Sequence, residues 1–340
     1  MKNWIARLFG GGEANASAPP AAHDPSPAVA APADRAPSHR APEAQEPDPI
    51  LDFWRWLTAG AAAAAPTPQA QAHAQLVLAE LDRLIAAPLD AAGLVPRVPE
   101  VIPQLLRSLR DEGASSTDLA RQFARDPALV AELIREANSP FYRSASQVRT
   151  IDAALLVLGR NGLRMLLARA AFRPLAGAQG GRHTRQAAPR IWRHTEKTAL
   201  AASLLAPGMQ ADPFEAYLAG LMADLGLIVA LRLFDGMLET DALPQDPDVV
   251  AALLGRTRTL SAHIALQWEL PPPIAAAILG ALGDGPSAGQ PLAVTLGQAE
   301  RLALLRLRID DGDLAEEDPA VAGLDRACVR VLERLAPADL

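Results

Sequence analysis

Cysteine is nearly absent from this 340-residue chain, which contains only Cys328. No disulfide can form within the chain, so a reducing compartment is expected. Aromatic residues make up only 4% of the sequence, and Ala and Leu dominate. Because strands favour aromatic and β-branched residues, this composition predicts an all-α protein.

Long apolar runs and a strong charge of either sign are also missing. No stretch approaches about 18 uninterrupted apolar residues, so no membrane-spanning helix is expected. Residues 1–12 contain no apolar stretch followed by a cleavage site, so a signal peptide is not predicted. The net charge of −7 offers no bulk attraction for nucleic acid. Together with the near absence of cysteine, these features favour a cytoplasmic protein.

The first 70 residues are rich in proline and alanine and contain 11 of the 30 prolines. Such a segment buries too little apolar surface to offset its ordering entropy, so residues 1–70 are predicted to be a disordered arm. Two islands, 1–9 and 50–57, carry apolar residues at helical spacing. Their candidate docking side chains are Trp4, Ile5, Leu8, Phe9, Phe53, Trp54 and Trp56.

Each island is too short to form a stable helix alone, so each is expected to fold only against a surface. For residues 50–57, two alternatives stay open: packing back on the body, or docking into a partner. For residues 1–9 docking is favoured, because about 40 flexible residues separate them from anything folded. Lys2 and Arg7 give weak membrane attraction. A protein groove is therefore the expected target, with peripheral membrane attachment as the alternative.

Helical patterns fill the rest of the chain. A leading helix is predicted over 71–93, a helical domain over 94–285, and C-terminal helices over 291–336. Asp126-Pro127 and Thr150 are helix-start signals, and Gly159 is expected to end a helix. Single helices are predicted to begin at Pro189 and to span Asp212–Leu233.

Several motifs, in a fixed order, resemble those of the HDOD domain family. They are Val95-Pro-Arg-Val-Pro-Glu-Val101, Asp126-Pro-Ala-Leu-Val130, Ala137-Asn-Ser-Pro-Phe-Tyr142, Ile151-Asp-Ala-Ala-Leu-Leu-Val-Leu-Gly159, Trp192-Arg-His194, Tyr217-Leu-Ala-Gly-Leu-Met-Ala-Asp-Leu-Gly226 and Trp268-Glu-Leu-Pro271. The resemblance covers about Leu94 to Leu282. It implies a two-lobed, all-helical domain related to HD-type metal phosphohydrolases and found in bacterial signalling proteins, most without demonstrated hydrolase chemistry.

The departures from the family pattern concern its metal-binding positions. The family's His-Asp pair reads Ala223-Asp224 here, and its other histidines fall near Thr257 and at Ala281-Leu282. Only His194 and Asp224 remain as vestigial metal-site positions, and a catalytic metal needs several converging ligands. No metal, cofactor or catalytic residue is therefore predicted. His263 is offset by six residues from the Thr257 position, which makes it a weak alternative ligand.

A basic cluster precedes His194 in the sequence. Its members are Arg182, Arg185, Arg190 and Arg193. They are interpreted as part of a solvated polar loop, with contact to an anion or phosphate as the alternative. The signature residues Asn138, Ser139, Phe141 and Tyr142 are interpreted as structural.

The leading hypothesis is a non-catalytic signalling scaffold that acts through protein–protein interaction. The resemblance suggests enzymes of a nucleotide second-messenger pathway as partners. One alternative is a metal-dependent phosphohydrolase of a nucleotide-type substrate that uses His194 and Asp224. A second alternative is nucleotide or nucleic-acid binding through the Arg182–Arg193 cluster.

Overall fold

A computed structural model describes residues 49–58, 68–86, 127–139, 142, 147–177, 180–237, 243–281 and 287–337. These residues form twelve α-helices and a 3₁₀ turn, Ala206–Met209, and no strand occurs among them. The helices are α1 (Pro49–Thr58), α2 (Pro68–Ala86), α3 (Pro127–Ala137), α4 (Ile151–Gly177), α5 (Arg182–Leu205), α6 (Pro213–Met222), α7 (Leu225–Met237), α8 (Pro247–Gln267), α9 (Pro272–Gly280), α10 (Pro291–Asp310), α11 (Pro319–Ala322) and α12 (Arg326–Arg334). The predicted all-α class is confirmed.

Local sequence signals account for most helix starts. The carboxylates of Asp212 and Asp246 accept hydrogen bonds from the first amides of α6 and α8, and a proline follows each of them. This pairing satisfies exposed amides and presets the first helical φ. The Thr150 hydroxyl accepts a hydrogen bond from the Ala153 amide at the start of α4. At Gly159 the chain takes φ 62° and kinks α4, which matches the predicted helix end.

Helix α5 lies at the centre of the fold. It packs against α4, α6, α7 and α10, while α8 packs against α7, α9 and α2. The buried apolar side chains of these helices form one continuous core. Residues 213–236 form a stretch that is long and apolar enough to span a membrane. However, 94% of its most apolar 18-residue segment is buried inside the protein. This stretch therefore serves as core.

Two predicted helix boundaries near the centre of the fold are wrong. Helix α5 begins at Arg182, where a polar loop was predicted, and includes Pro189 in its interior. The start signal is supplied from outside α5: the carboxylate of Asp235 on α7 accepts hydrogen bonds from the amides of His183 (2.7 Å) and Thr184 (3.1 Å). The predicted helix Asp212–Leu233 is interrupted at Ala223-Asp224, between α6 and α7.

The predicted disordered arm, 1–70, is also too long. Residues 49–58 form α1, and α2 begins at Pro68. Of the two alternatives for island 50–57, packing on the body is the one observed, because Trp54 is fully buried and Trp56 is 7% exposed. The first island, 1–9, lies outside the described residues, as do residues 87–93 of the predicted leading helix.

Candidate functional site

The vestigial pair predicted from the sequence comes together in a buried pocket. Nδ1 of His194, on α5, lies 2.8 Å from Oδ2 of Asp224, in the turn between α6 and α7. Because a carboxylate can only accept, Nδ1 carries the proton. The Thr195 hydroxyl donates to the same oxygen at 3.1 Å. Burial alone would raise the pKa of Asp224, but its neighbours, His194 first among them, hold that pKa below its usual range.

The turn that carries Asp224 is held tightly against α8. The Ser261 hydroxyl accepts from the Gly226 amide at 2.9 Å and donates to the Ala223 carbonyl at 2.8 Å. Gly226 faces the backbone of Thr257, and a Cβ built at Gly226 would lie 2.0 Å from the Thr257 carbonyl oxygen. Only glycine fits this crossing, so the Asp-Leu-Gly sequence positions Asp224 through backbone packing.

A buried arginine enters the pocket from α8. The Nη2 atom of Arg258 lies 3.9 Å from Oδ1 of Asp224 and forms a close ion pair with Oε1 of Glu300 on α10. The Arg258 side chain is 14% exposed. Burial alone would lower the pKa of the Arg258 guanidinium. The carboxylates of Glu300 and Asp224 have the opposite effect and outweigh burial, so the pKa lies above its usual value. Burial also raises the pKa of Glu300, against the opposing effect of Arg258.

Neither Arg258 nor Glu300 was predicted as a site residue. Arg258 follows Thr257, which the motif comparison singled out as a position without its histidine. Glu300 lies in the C-terminal helices, beyond the recognised motifs. Each of them is a charged residue on the apolar face of a helix. Because such residues are seldom buried unless they are paired, this position was the available signal for a buried ion pair.

The aromatic helix α1 covers the pocket. Phe53 places its ring centroid 5.1 Å from that of His194, and Trp56 places its own at 6.4 Å. The His194 and Asp224 side chains are only 4% and 5% exposed. A substrate approaching this pair would have to displace α1.

Two indole hydrogen bonds fasten α1 to the body. Nε1 of Trp54 donates to the Pro244 carbonyl oxygen at 2.7 Å, and Nε1 of Trp56 donates to Oδ2 of Asp311 at 2.9 Å. Oδ1 of Asp311 accepts from Arg193 at 2.7 Å. Phe53, Trp54 and Trp56, predicted as candidate docking residues, therefore belong to the packed body, because their rings fill the space between α5 and α8.

The other positions that the family's metal-binding pattern assigns in this sequence bring no further ligand. Thr257 is buried and its hydroxyl donates to the Leu254 carbonyl oxygen at 2.9 Å, while Ala281 is apolar and buried. Leu282 lies outside the described residues, and His263 is exposed on α8. Within the described ranges, no three His, Cys, Asp or Glu side chains come close enough to hold one metal ion.

The donor set does not fit a divalent metal. Two donors already contact Oδ2 of Asp224, and a guanidinium faces Oδ1. A divalent ion about 4 Å from that guanidinium would be repelled by roughly 8 kcal/mol at an effective dielectric constant of about 20. Too few uncommitted ligands remain in the described pocket to offset this repulsion.

The four arginines of the predicted anion contact lie on α5, not in a loop. Arg193 is paired with Asp311, and the first amides of α5 bond to Asp235, so neither offers an open place for an anion. Arg182 and Arg185 are exposed, and Arg190 is partly exposed. Anion binding by this cluster stays a prediction.

The signature residues hold a corner together. Nδ2 of Asn138 donates to the carbonyl oxygens of Ile134 and Val148, and its Oδ1 accepts from the Val148 amide, each at 2.8 Å. Asn138 therefore ties the end of α3 to the chain that enters α4. Ser139 is partly buried beside it, and Phe141 lies outside the described residues.

A second region with site-like chemistry lies between α3, α4, α5 and α12. Here a cavity of about 730 Å³ is lined in part by Tyr142, Arg169, Glu196, Lys197 and Tyr217. Arg169 pairs with Glu136 at 3.1 Å, with Glu132 at 3.2 Å and with Glu196 at 3.8 Å. Sequence analysis did not predict this cavity, although Ser139 and Tyr142 of the signature motif line it, because the rest of the lining comes from helices far apart in sequence.

Comparison with known proteins identifies the family. The HDOD domain matches residues 95–281, more than half of the chain, so the chain belongs to the HDOD domain family. A solved HDOD domain protein with unknown function from Geobacter sulfurreducens is 21% identical with a TM-score of 0.55, over 78% of this chain and 90% of that one. A Shewanella amazonensis SB2B structure named "Putative metal-dependent phosphohydrolase" is 17% identical with a TM-score of 0.55, over 78% and 98% of the chains.

These structural likenesses, at such low identity, establish the fold alone. A curated relative from Treponema pallidum (strain Nichols), named "Uncharacterized protein", is 24% identical over 209 residues. That match covers 58% of this chain and 39% of the relative, so the chain matches well under half the length of that relative.

Proposed function

We propose that this protein is a non-catalytic signalling module of the bacterial cytoplasm that acts by binding partner proteins. The observation that carries the proposal is the closure of the His194–Asp224 pocket. An aromatic helix covers the pair, and an arginine supplies the positive charge beside the carboxylate. Hydrolysis needs an accessible metal-bound water and several ligands. This pocket is buried, and Asp224 already accepts hydrogen bonds from His194 and Thr195 and faces Arg258.

The sequence of the N-terminal arm supports a role in recognition. Island 1–9 repeats the apolar spacing of island 50–57, and in the structure the latter forms α1 and buries its aromatic face on a helical surface. A segment of the same pattern suits the groove of a partner protein, where an amphipathic helix lays its apolar face. Enzymes of a second-messenger pathway remain the proposed class of partner.

The non-catalytic part of the proposal is tested by metal content and turnover. We expect the purified protein to hold no stoichiometric Mn, Fe or Zn by elemental analysis, and to leave a generic phosphodiester unhydrolysed when these metals are added. His194→Ala and the exposed His263→Ala form the matched pair. Stoichiometric metal that His194→Ala loses and His263→Ala keeps would establish the phosphohydrolase alternative instead.

The recognition part is tested on the arm. Capture of bacterial proteins by the full chain is compared with capture by a chain lacking residues 1–9 and by Trp4→Ala with Phe9→Ala. Leu156→Ala, which removes an exposed leucine from the body, is the control. We expect both arm variants to lose a protein that the control retains, with no change in melting temperature. A lower melting temperature would show that residues 1–9 belong to the core.

A further inference from the structure

Arg258 lies between two carboxylates, at a place that a metal cation could also occupy. Its guanidinium lies between Asp224, in the turn after α6, and Glu300, on α10. It thereby joins two parts of the chain that are more than 70 residues apart around one positive charge. A hard divalent metal ion does the same in other proteins, because it gathers carboxylate oxygens from separate elements.

We propose that Arg258 is a built-in cation that stands in the place of a metal ion, and that removing its guanidinium creates a divalent-cation site from Asp224 and Glu300. The inference rests on the proposed function, since a pocket that holds a catalytic metal leaves no such place for an arginine. The expected ligand is a hard cation that accepts carboxylate oxygens, and Mn²⁺ is the probe.

The remaining contacts already orient the two carboxylates. His194 and Thr195 both bond to Oδ2 of Asp224, which leaves Oδ1 directed to the place of the guanidinium. Ligating carboxylates in metalloproteins are oriented by hydrogen bonds of this kind. Without Arg258, the buried carboxylate of Asp224 and the largely buried carboxylate of Glu300 would lose the positive charge between them, which is an unfavourable state. A bound cation would relieve it.

The test uses Arg258→Met in the full chain, because methionine fills similar space without charge. Melting temperature is measured with a chelator and with about 1 mM Mn²⁺, and Mn²⁺ stoichiometry is measured by titration calorimetry. In chelator we expect the variant to melt below the wild type. With Mn²⁺ we expect its melting temperature to rise by about 3 °C or more and one ion to bind per chain. The wild type should show neither effect.

Two further variants keep the outcome interpretable. Arg258→Lys retains a positive charge and should remain insensitive to Mn²⁺. Arg258→Met with Glu300→Gln removes one carboxylate, so it should fold without Mn²⁺ and show no binding. If Arg258→Met is unfolded in chelator but folds with Mn²⁺, the proposal is supported.

The proposal is overturned if Arg258→Met binds no Mn²⁺, or if it stays unfolded with Mn²⁺ while the double variant folds. It is also overturned if the double variant binds Mn²⁺ as well as the single one. Failure of the proposed function looks different, because it would appear as stoichiometric metal in the wild type.

Discussion

Two partly buried arginines, Arg258 and Arg169, lie among carboxylates in different surroundings. Arg258 lies between Asp224 and Glu300, in a pocket whose His194 is covered by the aromatic side chains of α1. Arg169, which pairs with three glutamates, lines a cavity of about 730 Å³ between α3, α4, α5 and α12. The pocket around His194 and Asp224 is closed, whereas the cavity with room for a molecule is lined in part by Tyr142, a signature residue that was interpreted as structural.

The contrast is one of packing. In the first region, the carboxylate of Asp224 and the imidazole of His194 are buried and bonded to each other. In the second region, charged groups line open space. The cavity around Arg169 therefore has room for a small molecule, whereas the pocket around His194 is filled by packed side chains.

The largest expected effect tests the tight packing of the closed pocket. In Gly226→Ala the new Cβ would lie 2.0 Å from the Thr257 carbonyl oxygen, so the turn that carries Asp224 must move. We expect a loss of about 3 kcal/mol or more in unfolding free energy, measured by chemical denaturation. Gly255→Ala on α8 is the control, because nothing lies within 4 Å of its built Cβ. That change should stabilise by about 0.5–1 kcal/mol, and equal effects would contradict the close crossing.

The second prediction tests the packing of α1 over the His194–Asp224 pocket. Trp54 is fully buried and donates to the Pro244 carbonyl oxygen. Trp54→Ala should cost about 3–5 kcal/mol, because it leaves a cavity and an unpaired carbonyl. Trp54→Phe should cost less, and Leu76→Ala, at a position 53% exposed, should be nearly neutral. If Trp54→Ala is also neutral, α1 does not belong to the packed body.

The third prediction concerns pH and the cavity region. The chain has two tyrosines, Tyr142 and Tyr217. Burial, with Glu136 next in effect, raises the pKa of Tyr142 to about 12, and burial raises the pKa of Tyr217 as well. The folded state therefore holds these protons more tightly than the unfolded state. Stability is fully present below about pH 10 and is lost as pH rises towards about 12.

Absorbance near 295 nm, which reports tyrosinate, measures this behaviour directly. The native protein should show almost no signal at about pH 10.5, while the protein in denaturant should titrate near pH 10. Tyr142→Phe should halve the tyrosinate signal in denaturant, because only Tyr217 is then left to ionise. Native tyrosines that ionise near pH 10 would show that the cavity region is open to solvent.

The smallest expected effect concerns Asp311, which fastens α1 to the body through Trp56. Asp311 accepts hydrogen bonds from Trp56 and Arg193, and these bonds outweigh burial and hold the pKa of its carboxyl below the usual range. Asp311→Asn should therefore cost about 1 kcal/mol or less, because the ion pair is partly exposed. The difference from the wild type should shrink as pH falls through the usual Asp range. A cost equal to that of Trp54→Ala would contradict this ranking.

Much of the helical framework could be predicted from local signals. Asp212, Asp246 and Thr150 each begin a helix because their side chains satisfy the first free amides. Gly159 ends a helical run because its φ of 62° is open to glycine. The start of α5 could not be predicted in this way, since its capping carboxylate belongs to Asp235, about 50 residues away.

The candidate site was only half predictable for a related reason. Motif order brought His194 and Asp224 together as a pair, and the structure joins them at 2.8 Å. Arg258 and Glu300 were missed because pairing between α8 and α10 leaves no periodic signal in the sequence. The apolar spacing of island 50–57 predicted that it folds against a surface. It did not distinguish the body of this chain from a partner protein.

The amino-acid sequence alone determined the helical class, the positions of several helix ends and the residue types at the motif positions, among them Ala223 directly before Asp224. These depend on contacts within a few residues or on the residue types themselves. Only the tertiary structure decided that α1 covers the pocket and that Arg258 stands between Asp224 and Glu300. Such placements depend on packing between distant helices, where burial leaves each charge a single set of partners.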